Sequence, residues 1–195
     1  MYTITAFVDD EQGGGTISSV PVTVKRTDVT QPITPLAGET GTVSSTGDKD
    51  TSRTIAGDDE DNIGYRAFWC FDLYSLKGTE VKEAYLTFVT HKIVETPFKQ
   101  TSSGLRGLYI WQIRSEPGQL PDYYKPDPVR ELAPLMWEAP EAIDVTEEVN
   151  RIGRGLAPSD RLQVRAGFMS KTDGTCDQDF IEWEAVTLTV TYTKK

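Results

Sequence analysis

The segment NIGYRAFWCFDLYSLKGTEVKEAYLTF, residues 62–88, decides the fold class of this chain. Apolar residues recur there at every second position: Ala67, Trp69, Phe71 and Leu73, then Ala84, Leu86 and Phe88. This alternation predicts two β-strands joined by a short turn, each with one face on a core. No helical periodicity of comparable strength occurs elsewhere in the sequence.

Length and composition agree with an all-β protein. The chain has 195 residues, which suits one large β domain, or one domain and a fragment of another. Hydrophobic residues make up 37% of it and aromatic residues 10%, enough for a core without covalent staples. Frequent Thr, Val and Tyr, with Gly and Pro at short intervals, are typical of short strands and turns.

The charge excludes two classes of partner. The net charge is −10, and no stripe of Lys and Arg interrupts the acidic balance. Nucleic-acid binding needs clustered cations, and anionic membranes repel an acidic surface. The sequence has no apolar run of 18 residues and no signal-peptide pattern, so we expect no membrane insertion. We expect a piece of a larger exported protein, extracellular or at the cell surface, or a protein assembled without signal-dependent export.

The N-terminus predicts a β-hairpin. Residues 2–8 and 16–25 are β-prone, and DDEQGGG between them is a turn sequence. The segment resembles the last two strands of a bacterial Ig-like domain. An isolated hairpin is marginally stable, so it must pack on or pair with another element. The predicted divisions are a hairpin at 1–27, a linker at 28–40 and a main domain at 41–195.

The remainder predicts a β-sandwich or jelly roll of two antiparallel sheets with one short helix. A short edge strand begins the main domain near Gly41, and further strands are expected at about 65–73, 81–90, 105–114, 161–170 and 180–192. Residues 115–142 are Pro-rich and predict a long loop. Residues 143–152 predict the helix, with Asp144 and Glu147 at capping-box spacing and Gly153 or Gly155 ending it.

Several segments together resemble a family of secreted jelly rolls, the DNRLRE or disaggregatase-related carbohydrate-binding modules. The similarity covers about residues 40–192. Its motifs are an Arg before Phe-Asp-Leu and a short turn, Ala-x-Leu, a Trp-containing loop, Asp-Val-Thr opening a helix, and a Thr-rich last strand. The matching positions are Arg66, Phe71, Asp72, Leu73, Ala84, Leu86, Phe88, Trp137, Asp144, Val145, Thr146, Val149 and 186–192. This chain departs from the family at Met136, where a Thr is usual, and in its long Pro-rich loop.

The resemblance implies a carbohydrate-binding module whose partner is a polysaccharide or cell-surface glycan. Sugars stack their C–H faces on Trp and Tyr rings. We therefore take four aromatic residues as ligand-binding candidates: Trp183, Tyr123, Tyr124 and Trp137. Burial in a core or under the long loop is the alternative for each. Strict alternation from Val186 would turn Trp183 away from the core, and a β-bulge would return it.

Acidic loops at 47–50, 57–62 and 172–179 suggest a structural calcium ion. Ca²⁺ takes six to eight oxygen ligands from carboxylates and carbonyls. The candidate ligands are Asp58, Asp59, Asp61, Asp173 and Asp177. The spacing is not that of an EF-hand, and solvated acidic turns are the alternative. Related jelly rolls often carry calcium, which the resemblance extends to this chain.

Catalysis has no sequence support. His91 is the single histidine, and no nucleophile motif accompanies it. Glu182 and Glu184 alternate along one strand, which is typical of a solvated pair rather than of glycosidase carboxylates. Cys70 and Cys176 would form one disulfide only if the fold brought them together.

Two functions remain open. The first is non-catalytic carbohydrate binding or adhesion within a larger exported protein. The second is a structural subunit of an extracellular filament, sheath or virion, whose N-terminal hairpin completes the sheet of another copy.

Overall fold

The computed structural model describes residues 2–9, 15–22, 26–100, 104–125 and 127–193. In these ranges it contains thirteen strands and one α-helix. The strands are β1 Tyr2–Asp9, β2 Gly15–Val22, β3 Asp28–Ile33, β4 Gly41–Ser44, β5 Lys49–Asp50, β6 Thr54–Asp58, β7 Gly64–Asp72, β8 Glu80–Val94, β9 Leu108–Ile113, β10 Pro128–Met136, β11 Ala142–Asp144, β12 Arg161–Phe168 and β13 Asp179–Thr193, and the helix is α1 Thr146–Gly153.

Antiparallel pairing arranges the main strands in two layers. One layer has the order β10-β9-β12-β7, with β4 on β7 and β5 on β4. The other is built on β13, which pairs with β8 along one side and with β3 and β6 along the other, while β11 pairs with β8. β6 also pairs with β7 and so joins the layers. The predicted all-β sandwich, jelly-roll-like and with one short helix, is confirmed.

Close backbone approach at β6 requires a glycine. Gly57 has a φ of +139°, which side-chain-bearing residues rarely adopt. A Cβ there would lie 2.1 Å from the carbonyl oxygen of Asp179. The strand that joins the two layers, β6, therefore requires a residue without a side chain at position 57.

The N-terminal hairpin is confirmed. β1 and β2 pair antiparallel along their whole length, from Tyr2 opposite Val22 to Asp9 opposite Gly15. Residues 10–14 of the predicted turn and 23–25 of the predicted second strand lie outside the described residues. In the described residues, β1 and β2 pair only with each other.

The predicted linker contains a strand. β3 pairs with the C-terminal half of β13, from Ile33 opposite Leu188 to Asp28 opposite Thr193. Residues 28–33 therefore belong to the main sheet, so the segment predicted as a linker at 28–40 begins with an edge strand. Pro32 did not prevent pairing because β3 lies at the sheet edge, where proline is tolerated.

The core lies between the layers and holds buried residues of seven strands, β6 to β9 and β11 to β13, and of the helix. The alternation quoted first is confirmed, since Ala67, Trp69 and Phe71 of β7 and Leu86 of β8 are buried there. Trp69 makes edge-to-face contacts with Phe88 and Trp183 at ring-centroid distances of 5.7 and 5.2 Å. Such edge-to-face pairs stabilise the fold beyond the burial of their apolar surface, because the rings attract one another in this geometry.

A β-bulge in β13 places Trp183 in the core, whereas strict alternation from Val186 would have turned it outward. The register with β8 shifts between Glu182 and Ala185, so that Glu184 and Ala185 both face outward. Trp183 and Val186 then both face the core. The bulge lies between the half of β13 that pairs with β6 and the half that pairs with β3.

The helix starts later than the sequence predicted. Residues 142–144 form β11, and Asp144 Oδ1 accepts a hydrogen bond from the backbone N–H of Thr146 at 2.9 Å. The predicted capping box is wrong, because Glu147 pairs with Arg130 instead, at 2.8 Å. Gly155, at a φ of +70°, ends the helix as expected. Within the described ranges, no helix is long and apolar enough to cross a membrane.

The predicted long loop at 115–142 is shorter than expected. Residues 128–136 form β10, which pairs with β9 through several register shifts. Pro128 and Pro134 hid this strand in the sequence, and its place at the sheet edge makes them compatible with pairing. The remaining segment, described at 114–125, covers the outer face of the β7 layer, where Leu120 and Tyr123 pack with Phe68.

Candidate ligand-binding site

The four predicted ligand-binding aromatics are not brought together. Trp183 is 3% exposed and belongs to the core, so the interpretation of its ring as part of a binding surface is wrong. Tyr123 is 4% exposed, whereas Tyr124 and Trp137 are 62% and 40% exposed. Only the last two have rings open to solvent.

Tyr123 anchors the loop on the outer face of β7. It packs in a small cluster of buried residues with Val43, Phe68, Ile113 and Leu120. The guanidinium of Arg66 lies over the Tyr123 ring at 4.3 Å and donates a hydrogen bond to the Tyr123 carbonyl oxygen. Burial raises the pKa of the Tyr123 hydroxyl. Tyr123 therefore stabilises the loop, as its alternative interpretation expected.

The five predicted calcium ligands do not all converge, although Asp58 and Asp173 are in contact. In the described residues, no group of three or more His, Cys, Asp or Glu side chains is arranged to hold a metal ion. Asp59 Oδ1 accepts hydrogen bonds from the amides of Asp61 and Ile63 at 3.0 and 2.9 Å, and so stabilises the turn in which it lies. Asp61 and Asp177 are exposed. A calcium ion at these residues stays a prediction.

Asp58, unlike the exposed Asp61 and Asp177, is wholly buried. Its Oδ2 accepts a hydrogen bond from the Asp173 amide at 3.0 Å, and its Oδ1 has no partner in the described residues. Burial, reinforced by the nearby charges of Asp173 and Asp179, raises the pKa of Asp58 to about 6. Burial also raises the pKa of Asp179. These carboxylates form an acidic cluster at the end of β6.

A polar cleft of about 410 Å³ opens beside that cluster, between the β4-β5 hairpin and β6. This volume is within the range of small-molecule sites. Thr42, Ser44, Ile55 and Phe180 are buried residues of its lining. The Thr42 hydroxyl accepts from the amide of Ile55 and donates to the carbonyl of Arg53, both at 2.8 Å, and so ties β4 to β6 behind the cleft.

Two cations in the cleft share one carboxylate. Arg53 Nε donates to Glu182 Oε1 at 2.9 Å, and Lys92 Nζ lies 3.4 Å from Glu182 Oε2. Hydrogen bonding from Arg53, more than that from Lys92, lowers the pKa of Glu182. Lys92 also lies over the Phe180 ring at 5.2 Å. Glu182 is therefore a structural partner of Arg53, and the interpretation of Glu182 and Glu184 as one solvated pair holds only for exposed Glu184.

The carboxylates that line the cleft are engaged as well. Asp50 accepts from the amide and hydroxyl of Ser52 at 2.8 and 2.6 Å, which lowers the pKa of Asp50. Tyr65 donates to Asp59 Oδ2 at 2.5 Å, and burial together with Asp59 raises the pKa of the Tyr65 hydroxyl. Tyr65 thus stays a neutral donor. The cleft holds charges of both signs that already offset one another.

Sequence reasoning did not predict this cleft, although the three acidic loops at 47–50, 57–62 and 172–179 supply Asp48, Asp50, Asp59 and Gln178 to its lining. Arg53 and Glu182 are 129 residues apart, and the fold alone brings them together. One local feature of the sequence pointed to the pair. Glu182 is a charged residue at an outward position between Ile181 and Trp183, which both face the core.

Comparison with known proteins adds no relative: no protein-family model matches the chain, and no curated protein is significantly similar to it. Membership of the DNRLRE or disaggregatase-related family therefore remains a prediction.

Proposed function

We propose that the protein is a non-catalytic carbohydrate-binding module that holds an uncharged sugar in the polar cleft. The observation that carries the proposal is a concave site of about 410 Å³ in which aromatic side chains stand beside self-paired charges. Sugar sites combine an apolar surface for ring C–H groups with side chains that read hydroxyls.

The lining supplies both kinds of contact. The half-buried ring of Tyr65 offers apolar surface, and buried Phe180 completes the apolar part of the lining. Carboxylates keep free lone pairs after one or two hydrogen bonds, and ammonium and guanidinium groups keep further protons. Hydrogen bonds to sugar hydroxyl groups are thus available from three side chains of the lining: Asp50, Lys92 and Gln178. Because each acid already has a partner, the cleft favours an uncharged ligand over an ion.

The same geometry supports binding without catalysis. A glycosidase needs one carboxylic acid that stays protonated near neutral pH, facing the ligand. Asp50 has a lowered pKa, and Asp58, whose pKa is raised to about 6, is fully buried and is not part of the cleft lining. The carboxyl group best suited to donate a proton is thus the one that a ligand does not reach.

Affinity electrophoresis on a panel of neutral polysaccharides, with and without Ca²⁺, tests the proposal. We expect retention on at least one gel. The Tyr65→Ala variant should weaken it about tenfold or more, a loss of roughly 1.4 kcal/mol. Because Tyr65→Ala also removes a structural hydrogen bond, the exposed Gln178→Ala is the milder variant, expected to weaken retention about two- to tenfold.

Tyr124→Ala is the matched control, because Tyr124 is 62% exposed and lies outside the cleft. It should leave retention unchanged. Absence of retention on every gel contradicts the proposal, as does a loss that appears with Tyr124→Ala but not with the cleft variants. Retention that depends on Ca²⁺ would in addition support the predicted cation.

A second candidate function, assembly by strand exchange, is favoured by the pairing of the hairpin. In the described residues β1 and β2 pair only with each other, and β3 pairs only with β13. A two-stranded ribbon gains stability by joining a third strand. Size-exclusion chromatography of the full chain against a chain starting at Arg26, which keeps β3, separates the alternatives. Equal monomeric behaviour and equal stability of the two chains contradict assembly through the hairpin.

A further inference from the structure

A second depression, of about 390 Å³, adjoins the polar cleft. Apart from Lys49, it is lined by residues 114–116, 119–122 and 125, on the segment that covers the outer face of the β7 layer. Its polar side chains are Arg114, Ser115, Glu116, Gln119, Asp122 and Lys125. The segment thus forms one wall of an extension of the cleft.

Lys49 of β5 belongs to the lining of both depressions. Its Nζ donates a hydrogen bond to the carbonyl oxygen of Leu120 at 2.6 Å and lies 3.6 Å from Asp122 Oδ1. The side chain therefore bridges the β4-β5 hairpin to the covering segment. The cleft and the second depression thus lie on either side of the Lys49 side chain, and we call the two together the groove.

The wall of the second depression is anchored on the sheet. Leu120 and Tyr123 are 3% and 4% exposed and pack on Phe68. At the start of the segment, the Ser115 amide donates to Gln163 Oε1 at 2.8 Å, and Gln163 Nε2 donates to Ser115 Oγ at 2.8 Å. These contacts account for the buried amide of Gln163 and preform the wall, which lowers the entropy that a ligand must overcome.

Charges of both signs also line the second depression. Lys49, Arg114 and Lys125 stand against Glu116 and Asp122. Hydroxyl groups find both donors and acceptors there. The balance resembles that of the cleft, so one ligand chemistry suits the whole groove.

We infer that the groove binds a chain of several neutral sugar units that runs from the cleft across Lys49 into the second depression, rather than a single monosaccharide. This inference rests on the proposed function, because it assigns the length of the ligand of that same site. It also assigns Gln119 and Lys125 as contacts made only by longer chains.

Isothermal titration calorimetry with malto-, cello-, xylo- and manno-oligosaccharides of one to six units tests the inference. For at least one series we expect the affinity to rise about tenfold or more between one unit and the length that spans the groove. Gln119→Ala and Lys125→Ala should each weaken the longer oligosaccharides about two- to tenfold and leave the shortest ligand that binds unchanged. Gln178→Ala should weaken every length.

Lys99→Ala is the matched control for Lys125→Ala, because Lys99 is also exposed and lies outside the groove. It should leave every affinity unchanged. Affinity that does not rise with chain length, while Gln178→Ala still weakens binding, overturns the inference and leaves the proposed function standing. Unchanged binding of long chains by both Gln119→Ala and Lys125→Ala also overturns it, and failure of all four series to bind overturns the inference together with the proposed function.

Discussion

The N-terminal half of β13 separates two regions that are stabilised in different ways. Ile181 and Trp183 point into the core, where each is at most 3% exposed. Phe180 lines the polar cleft on the opposite side, and Glu182 holds Arg53 and Lys92 there. One run of four residues thus serves an apolar interior and a charged cleft.

The difference shows where local sequence carries information. In the core, stability comes from removing apolar surface from water and filling space, so each residue contributes through its own size and polarity. In the cleft, the Glu182 carboxylate depends on Arg53 and Lys92, partners far away in the chain that offset the cost of its desolvation. Substitutions on the two sides of β13 should therefore differ in size and in pH dependence.

Trp183→Ala should have the largest effect. It removes a buried ring that contacts Trp69 and Phe88, and we expect a loss of about 3–5 kcal/mol in the free energy of unfolding, measured by urea denaturation. Trp183→Phe should cost clearly less, since it keeps a ring and removes an indole N–H that has no partner in the described residues. Trp137→Ala, at an exposed tryptophan, is the control. An equal loss at Trp183 and Trp137 would contradict the placement of Trp183 in the core.

Asp58→Asn should raise stability at neutral pH. The folded pKa of about 6 exceeds the ordinary value of 3.8, so the folded state binds more protons between those values and stability falls as the pH rises through them. The variant has no carboxyl group at position 58 to ionise, so it does not lose this stability. We expect its free energy of unfolding to exceed that of the unchanged protein by about 1–3 kcal/mol at pH 7, and the difference to fade below pH 4. Thermal unfolding between pH 3.5 and 8 measures it.

Asp179, whose pKa is also raised, should leave a smaller pH dependence in the Asp58→Asn variant. The carboxamide oxygen that this substitution introduces can still accept the hydrogen bond from the Asp173 amide, so the fold should survive the change. A pH profile identical to that of the unchanged protein would show that the Asp58 carboxyl group is hydrated rather than buried.

Glu182→Gln should act with the opposite sign. Its lowered pKa means that the ionised form contributes stability above the ordinary value of 4.5, and that this contribution is lost as the pH falls through the folded value. We expect a loss of about 1 kcal/mol at pH 7 that disappears at acidic pH. Glu184→Gln is the matched control, at an exposed glutamate two residues away. The same loss in both variants would contradict the pairing of Glu182 with Arg53.

The two cysteines should differ in reactivity. Cys70 is buried, and its burial, reinforced by Glu39, raises its pKa to about 12, whereas Cys176 is exposed beside Asn62. Both thiols are free in this structure. A thiol-specific reagent should modify one cysteine in the folded protein and two after unfolding, as counted by mass spectrometry. Two modified residues at native conditions would show that the outer face of β7 opens.

Much of the fold could be predicted from the sequence because it depends on local alternation. β7, β8 and the end of β13 each carry it, and Gly155 marks the end of the helix. β3 and β10 were missed because edge strands tolerate proline and polar residues, which removes the usual signal.

The candidate site was largely hidden for a different reason. Tyr65 and Phe180 come from separate strands, and Lys49 reaches the covering segment 71 residues later in the chain. No spacing rule connects such positions. The aromatic residues that the sequence did suggest were buried by the contacts that shape the sandwich, as with Trp183 and Tyr123.

The bulge at Glu184 and Ala185 has a consequence for insertions and deletions in this part of the chain. Loss of one of these two residues would leave a regularly alternating strand with every remaining side chain of β13 on its present face. Loss of one residue at a regular position instead would turn one half of the strand over, exposing either Ile181 and Trp183 or the row from Val186 to Tyr192. Length variants of β13 should therefore be tolerated at the bulge and selected against along the rest of the strand.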